Sequence, residues 1–272
     1  MGIVDFILNL AGLLLWLNWR SLRFDPLVKR LPATLMGTLR PAAPQRLRRW
    51  HLLVILAVLL FLRAVIYRWM APFWIAKLDF GMVVVPFRSD WFGGILFFSF
   101  LSFGLMLWVV YIALLFLSVL KGPEPVHALV KVPLGRVDDW SRGVKVVLPF
   151  IATAACWFVV SWPLGWIQHL TISMPLRVEQ SVVIGLASYL IWKFPAGALL
   201  VLHLLSSYIY FGRHPFWKYV NATAQKLLQP LRRIPLDFRK VDFAPLVGIA
   251  LIFLVAEGAS GGLAWLFARL PL

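Results

Sequence analysis

A single cysteine, Cys156, in a chain of 272 residues excludes an intrachain disulfide, a metal site built on paired cysteines and a CxxCH haem-attachment motif. Acids are scarce as well, 11 Asp and Glu against 27 Lys and Arg, leaving a formal charge of +16. No HExxH pair, Walker loop or GxGxxG turn occurs, and no Ser, His and acid set falls within one membrane leaflet, so no catalytic residue and no enzyme is expected. The amino terminus, MGIVDFILNL, lacks a basic leader, and the segment after it ends in WLNWRS instead of small residues. A cleaved signal peptide is not expected from that pattern.

What the chain has in excess is apolar surface. Hydrophobic residues make up 61% of it, against roughly 45–50% in soluble domains. A window of about 20 residues, the length of a bilayer crossing, selects 3–19, 52–68, 92–120, 144–167, 182–211 and 245–268. These predict an all-α polytopic membrane protein with six transmembrane helices. Segments three and five exceed a simple crossing and should tilt or kink, with Pro195 as the kink in the fifth.

The basic residues explain themselves once the segments are placed. Connector 20–51 carries eight Lys and Arg against one acid, 121–143 four against three, and 212–244 seven against two, while 69–91 and 168–181 carry two and one. The positive-inside rule puts the three basic connectors in the cytoplasm and both termini outward. A polybasic face attracts anionic phospholipid at about 1 kcal/mol per well-placed Lys or Arg. That accounts for the charge without nucleic acid.

Two of these connectors repeat each other. PLVKRLPATLMGTLRP, from Pro26, aligns with PFWKYVNATAQKLLQP, from Pro215, and LVKVP at Leu129–Pro133 is an eroded third copy. The organisation expected is three hairpin repeats: 1–68, an outward connector 69–91, a degenerate unit 92–167, and 168–272. In the third unit Phe216, Trp217, Val220, Leu227, Leu228 and Leu231 take one helical face, with Lys218, Gln225, Lys226 and Arg232 on the other. This predicts an amphipathic helix on the cytoplasmic side, either lying in the membrane interface or packed on the protein's own helix ends. Leu27, Val28, Leu31, Leu35 and Leu39 make the same stripe in the first unit.

From Asn221 the chain reads NATAQKLLQPLRRIPLDFRKVDFAPLVGIALIFLV. A proline followed by an arginine pair, a proline-containing spacer, an aspartate and a proline opening the next helix resemble the signature of the YggT family of small bacterial and plastid membrane proteins. The matching positions are Pro230, Arg232, Arg233, Pro235, Asp242 and Pro245, with Ala244 in place of the usual serine and a charged LDFRK spacer in place of a glycine-rich one. The resemblance implies a role in the assembly of membrane complexes or cofactors, in cell division, or in osmotic or ion homeostasis, and implies no catalytic chemistry. Read physically, Pro245 suits a first helical turn and Asp242 its positive end. Arg232 and Arg233 would sit at head-group level, able to fork onto a phosphate or an aspartate.

Three charges fall inside apolar segments. Lys193 and Glu257 lie at equal depth on antiparallel segments, and since an intramembrane charge costs at least about 2.5 kcal/mol, an ion pair between them is expected, as a structural clasp or as an ion relay. Arg63 is expected to snorkel outward and Cys156 to be a small buried hydrophobe. Of the histidines only His203 is well inside a segment, and no bis-histidine haem pattern results. No metal or cofactor is expected. The function expected is a non-catalytic membrane scaffold or assembly partner, associating with other membrane subunits or as a homo-oligomer. An ion channel or transporter component using Lys193 and Glu257 is the alternative.

Overall fold

Runs of Leu, Val, Ile and Phe with no polar interruption leave the backbone no option in lipid but internal hydrogen bonding, and helices are what form. The computed structural model describes residues 2–21, 49–70, 76–79, 84–87, 91–124, 126–168, 173–209, 214–231, 237–238 and 241–270. Among them the helices are α1 (Gly2–Ser21), α2 (Arg49–Met70), α3 (Phe92–Leu120), α4 (His127–Leu134), α5 (Arg142–Gln168), α6 (Met174–Ala187), α7 (Lys193–Tyr208), α8 (Pro215–Leu228) and α9 (Ala244–Ala268). Two small hairpins lie in connectors: β1 (Ala76–Asp79) with β2 (Val84–Phe87), and β3 (Asp237–Phe238) antiparallel to β4 (Val241–Asp242). Five of the described stretches, 50–70, 92–120, 142–165, 174–208 and 244–268, are long and apolar enough to cross a bilayer. The chain is therefore a multi-pass membrane protein.

The described residues fall into two units, 1–78 with 86–107, and 79–85 with 108–272. In the first, α1 packs on α2, and Leu56, Leu60 and Phe103 form a core with Leu15, Trp16 and Leu107. Gly12 permits the close approach, since a Cβ there would stand 2.8 Å from the Phe103 ring. The Ser99 hydroxyl donates to the Leu60 carbonyl at 2.8 Å.

Arg63 does not snorkel. It is only 1% exposed, and its guanidinium donates to Asp5 Oδ1 (3.0 Å), Asn9 Oδ1 (2.7 Å), the Tyr67 hydroxyl (2.7 Å) and Ser102 Oγ (2.8 Å). The rings of Tyr67 and Phe98 lie 5.3 and 5.9 Å from it. The outward reading missed that Asp5 and Asn9, one helical turn apart on α1, offer acceptors nearer than the interface.

In the second unit α5 and α6 run side by side at near-backbone contact. A Cβ on Gly185 would lie 3.0 Å from the Phe150 carbonyl and 3.1 Å from Ala154 Cβ. The expected break at Pro195 takes the form of a 3-10 turn, Ser188–Trp192, immediately before α7. Pro149 inside α5 removes the donor for the Lys145 carbonyl, and one residue on the Tyr189 hydroxyl donates to the Val146 carbonyl at 2.8 Å. Cys156 is exposed on α5, turned away from the core and not buried as expected.

The third-unit amphipathic helix forms as α8, and it packs on α7 and α9. Val220 and Leu228 are buried, Trp217 and Leu227 half-buried, and Phe216 exposed. One face of the helix is thus covered by the chain itself. The matching stripe at Leu27–Leu39 lies outside the described residues.

Removing Arg63 strands a carboxylate and an amide in an apolar bundle. Arg63→Met should cost about 3–5 kcal/mol in denaturant titrations of the detergent-solubilised protein, and Asp5→Leu in the same chain should restore part of it. A single substitution that left the midpoint unchanged would show that the cluster holds nothing together.

Candidate functional site

α7 and α9 pack along their length, and their interface is apolar. Ala196, Leu199 and Leu200 of α7 meet Ile249 and Ile252 of α9, with Val220, Ala224 and Leu228 of α8 closing the layer. Small residues set the spacing: a Cβ on Gly197 would meet Phe253 at 2.9 Å, and one on Gly248 would meet Leu228 at 3.0 Å and Leu200 at 3.2 Å. Lys193 and Glu257 form no ion pair in this arrangement. Ala256 is the buried residue of that turn, and the next position is rotated by about 100° around a 3.6-residue helix. Glu257 is accordingly exposed, while Lys193 lines a groove with Ala256. Lys193 Nζ lies 5.3 Å from the Phe194 ring centroid.

Of the signature residues, Arg232 and Arg233 lie outside the described residues. Asp242 is in β4, in register with Asp237. The residue that caps α9 is Phe243, with no side-chain cap bond, and Pro245 is buried in the first turn.

His203 is used locally. Its Nδ1 is 2.8 Å from Asn221 Oδ1, which also accepts from Ser206 Oγ at 2.6 Å, so Asn221 ties α8 to α7. Lys226, read as a solvent-face residue, reaches instead to the end of α3. Its Nζ donates to the carbonyls of Leu120, at 2.9 Å, and Lys121. A cation there complements the negative end of the helix. Lys121 is left-handed at φ 43°, and Gly122 follows it directly against the Tyr219 ring, where any Cβ would overlap.

Beneath this junction lies a buried polar cluster that sequence reasoning did not find. Lys145 is fully buried, and its Nζ donates to Ser118 Oγ at 2.8 Å. The Ser118 hydroxyl in turn donates to Asp138 Oδ1, which lies 3.6 Å from Lys145 Nζ. His127 Nε2 stands 3.3 Å from Asp138 Oδ2. Burial pushes the Asp138 carboxyl up, but the Ser118 hydroxyl, His127 and Lys145 together outweigh it and hold the group below the usual carboxylate range. His127 Nδ1 and the Tyr219 hydroxyl are buried without partners among the described residues. The signal available in sequence was an acid seven positions before a lysine that opens an apolar segment. The intervening turn hides their proximity.

The arrangement ties Arg63 to Asp5 and Lys145 to Asp138 and leaves Lys193 and Glu257 unpaired, with no His, Cys, Asp or Glu group among the described residues able to hold a metal. Its class is that of a polytopic helical membrane protein. Residues 180–263 match the CCB3/YggT family, so the chain carries a CCB3/YggT domain running from the middle of α6 to most of α9. The resemblance read around Pro230 and Pro245 is thus confirmed. No curated protein and no solved structure matches the chain.

The Asp138 cluster sets an acid limit on stability. A carboxyl whose folded value is depressed contributes stability that is present above its unfolded value, near pH 4, and is lost as the pH falls through the folded value. Asp138→Asn leaves Lys145 buried against a neutral amide. It should cost about 3–5 kcal/mol at pH 7 and flatten the acid slope of the melting temperature. An unchanged acid slope would place the sensitivity elsewhere.

Proposed function

We propose that this protein is a non-catalytic scaffold or assembly partner within a bacterial cytoplasmic membrane, binding other membrane subunits through its lipid-facing helices. In this reading the chain makes six crossings, α1 included, in three hairpin repeats with both termini outward. Its basic connectors, with Arg232 and Arg233, rest against anionic phospholipid at the cytoplasmic surface.

The observation that carries the reading is Glu257. It lies in the interior of α9, exposed, on the face turned from the α7 interface, and it makes no hydrogen bond or ion pair among the described residues. Only 11% of the α9 span is buried within the chain, against 39% for residues 174–208, so among these five described spans α9 has the largest share of its surface left for another protein. Beside Glu257, Gly258, Gly261 and Gly262 have open space where side chains would be. A carboxylate at this depth favours a partner with a donor or a cation, and small residues allow a second helix to come close. An ion path through Lys193 and Glu257 would need the two to share a cavity, and they occupy different faces.

Affinity purification in mild detergent at native expression, followed by sizing and mass spectrometry, tests this. Stoichiometric recovery of other membrane subunits is the expected result, with their loss from Glu257→Leu while the variant itself elutes as a folded protein. Recovery of the chain alone, as monomer, would overturn the proposal.

A further inference from the structure

Within the second unit, a groove of about 380 Å³ is lined by α3, the 3-10 turn, α7, α8 and α9. Its volume falls in the roughly 300–1,000 Å³ range of small-molecule sites. The walls are Phe116, Trp192, Leu227, Ile252 and Ala259, and Lys193 is the charged residue among those that line it. We propose that this groove binds a long-chain carboxylate, its head group on Lys193 and its hydrocarbon chain against the apolar walls.

The chemistry of the lining selects the ligand. Lys193 makes no hydrogen bond or ion pair among the described residues, and its one recorded contact of this kind is with the Phe194 ring at 5.3 Å. An ammonium within a span seeks a counter-charge, and none is supplied among the described residues. Trp192 shares the groove, its indole N–H buried and without an acceptor among the described residues. The Trp192 ring itself is held between Phe116, at 5.4 Å, and Tyr189, at 5.2 Å, and the Tyr189 hydroxyl is spent on the Val146 carbonyl. An unpaired ammonium among apolar walls matches a head group that only accepts.

Depth separates a carboxylate from a phospholipid. Lys193 is ten residues, about 15 Å of helix, from His203, which meets α8 at Asn221. The exposed Lys218 and Lys226 of α8 mark that level as the cytoplasmic interface. Lys193 is then near the middle of a hydrocarbon core about 30 Å thick. A phosphodiester there would drag its glycerol and ester groups to the midplane. A carboxylate brings two acceptor oxygens and otherwise only hydrocarbon, and one negative charge balances one ammonium. The site does not depend on the scaffold reading, since a chain that recovers no partner can still hold the ligand.

The test uses the full chain in phosphatidylcholine nanodiscs with a diazirine-bearing palmitate, its methyl ester and a diazirine-bearing phosphatidylglycerol as probes. Photolabelled positions are read by peptide mass spectrometry. The carboxylate should label Trp192–Ala196 and Leu251–Ala259 about tenfold more than the ester, the difference a charge-assisted hydrogen bond makes. Lys193→Gln should reduce labelling to the ester level and Lys193→Arg should retain it. Ala259→Phe, which fills the groove and leaves the lysine, should also abolish labelling, and it serves if Lys193→Gln fails to fold. Equal labelling by acid and ester, labelling insensitive to Ala259→Phe, or preferential labelling by phosphatidylglycerol would each overturn the assignment.

Discussion

A polar group inside a bilayer has no water to fall back on, and this one constraint organises the whole molecule. Arg63 states it most fully: four donated hydrogen bonds, reaching α1, α2 and α3, converge on one guanidinium that is almost completely buried. A lysine could not reproduce this, because three donors on one nitrogen lack the planar fork that reaches four acceptors in different directions. The same need produces Tyr189 on the Val146 carbonyl beside Pro149. It also produces the serine and threonine hydroxyls of Ser181, Ser188, Ser206 and Thr223 turned back on their own helices. Where the constraint is met internally, helices are fastened together. Where it is not, as at Glu257 and Lys193, the molecule points outward.

What could be read from sequence follows from the same physics. The ends of the spans were legible to within a few residues, except that the fifth begins at 174 and not at 182, since hydrophobicity over 20 positions is a signal that one helix carries by itself and the polar first turns of α6 dilute it. The amphipathic stripe of α8 was legible for the same reason. Its docking was not, because a stripe records that a face is covered and not what covers it. Pairings between elements were the weak point. Depth along a helix can be counted from the chain, and Lys193 and Glu257 were matched by that count, but facing requires the azimuth. One step beyond Ala256 turns the carboxylate away. Arg63 shows the opposite failure: the acceptors lay on a segment more than 50 positions earlier in the chain, where no local pattern announces them.

Asp138 and Lys145 illustrate a third case. The connector that holds Asp138 looked like a worn copy of its two basic counterparts, and its three acids looked like simple dilution of charge. In the folded chain that dilution has a purpose. His127, Asp138 and Lys145, with Ser118, form a closed set in which one carboxylate answers an ammonium and an imidazole. A buried ion pair adds little over a well-packed apolar core, but breaking one is expensive, so its effect is to fix which surfaces meet. What this connector does in the folded chain is lock the start of α5 onto the end of α3.

The CCB3/YggT domain at 180–263 gains from this lock. α8 lies within that domain, yet three of its side chains reach beyond it or depend on what lies beyond it. Lys226 caps α3, Tyr219 stands against Gly122, and Val220 packs in one cluster with Phe116. The residues that hold α8 on its inner side, Asn221 to His203 and Ser206, belong to the domain. The part of the chain outside the family match therefore supplies the floor on which the domain's amphipathic helix is set. In the proposed scaffold reading, polar contacts serve internal alignment, and the faces of α5 and α9, the least buried of the five described spans, are left for a partner.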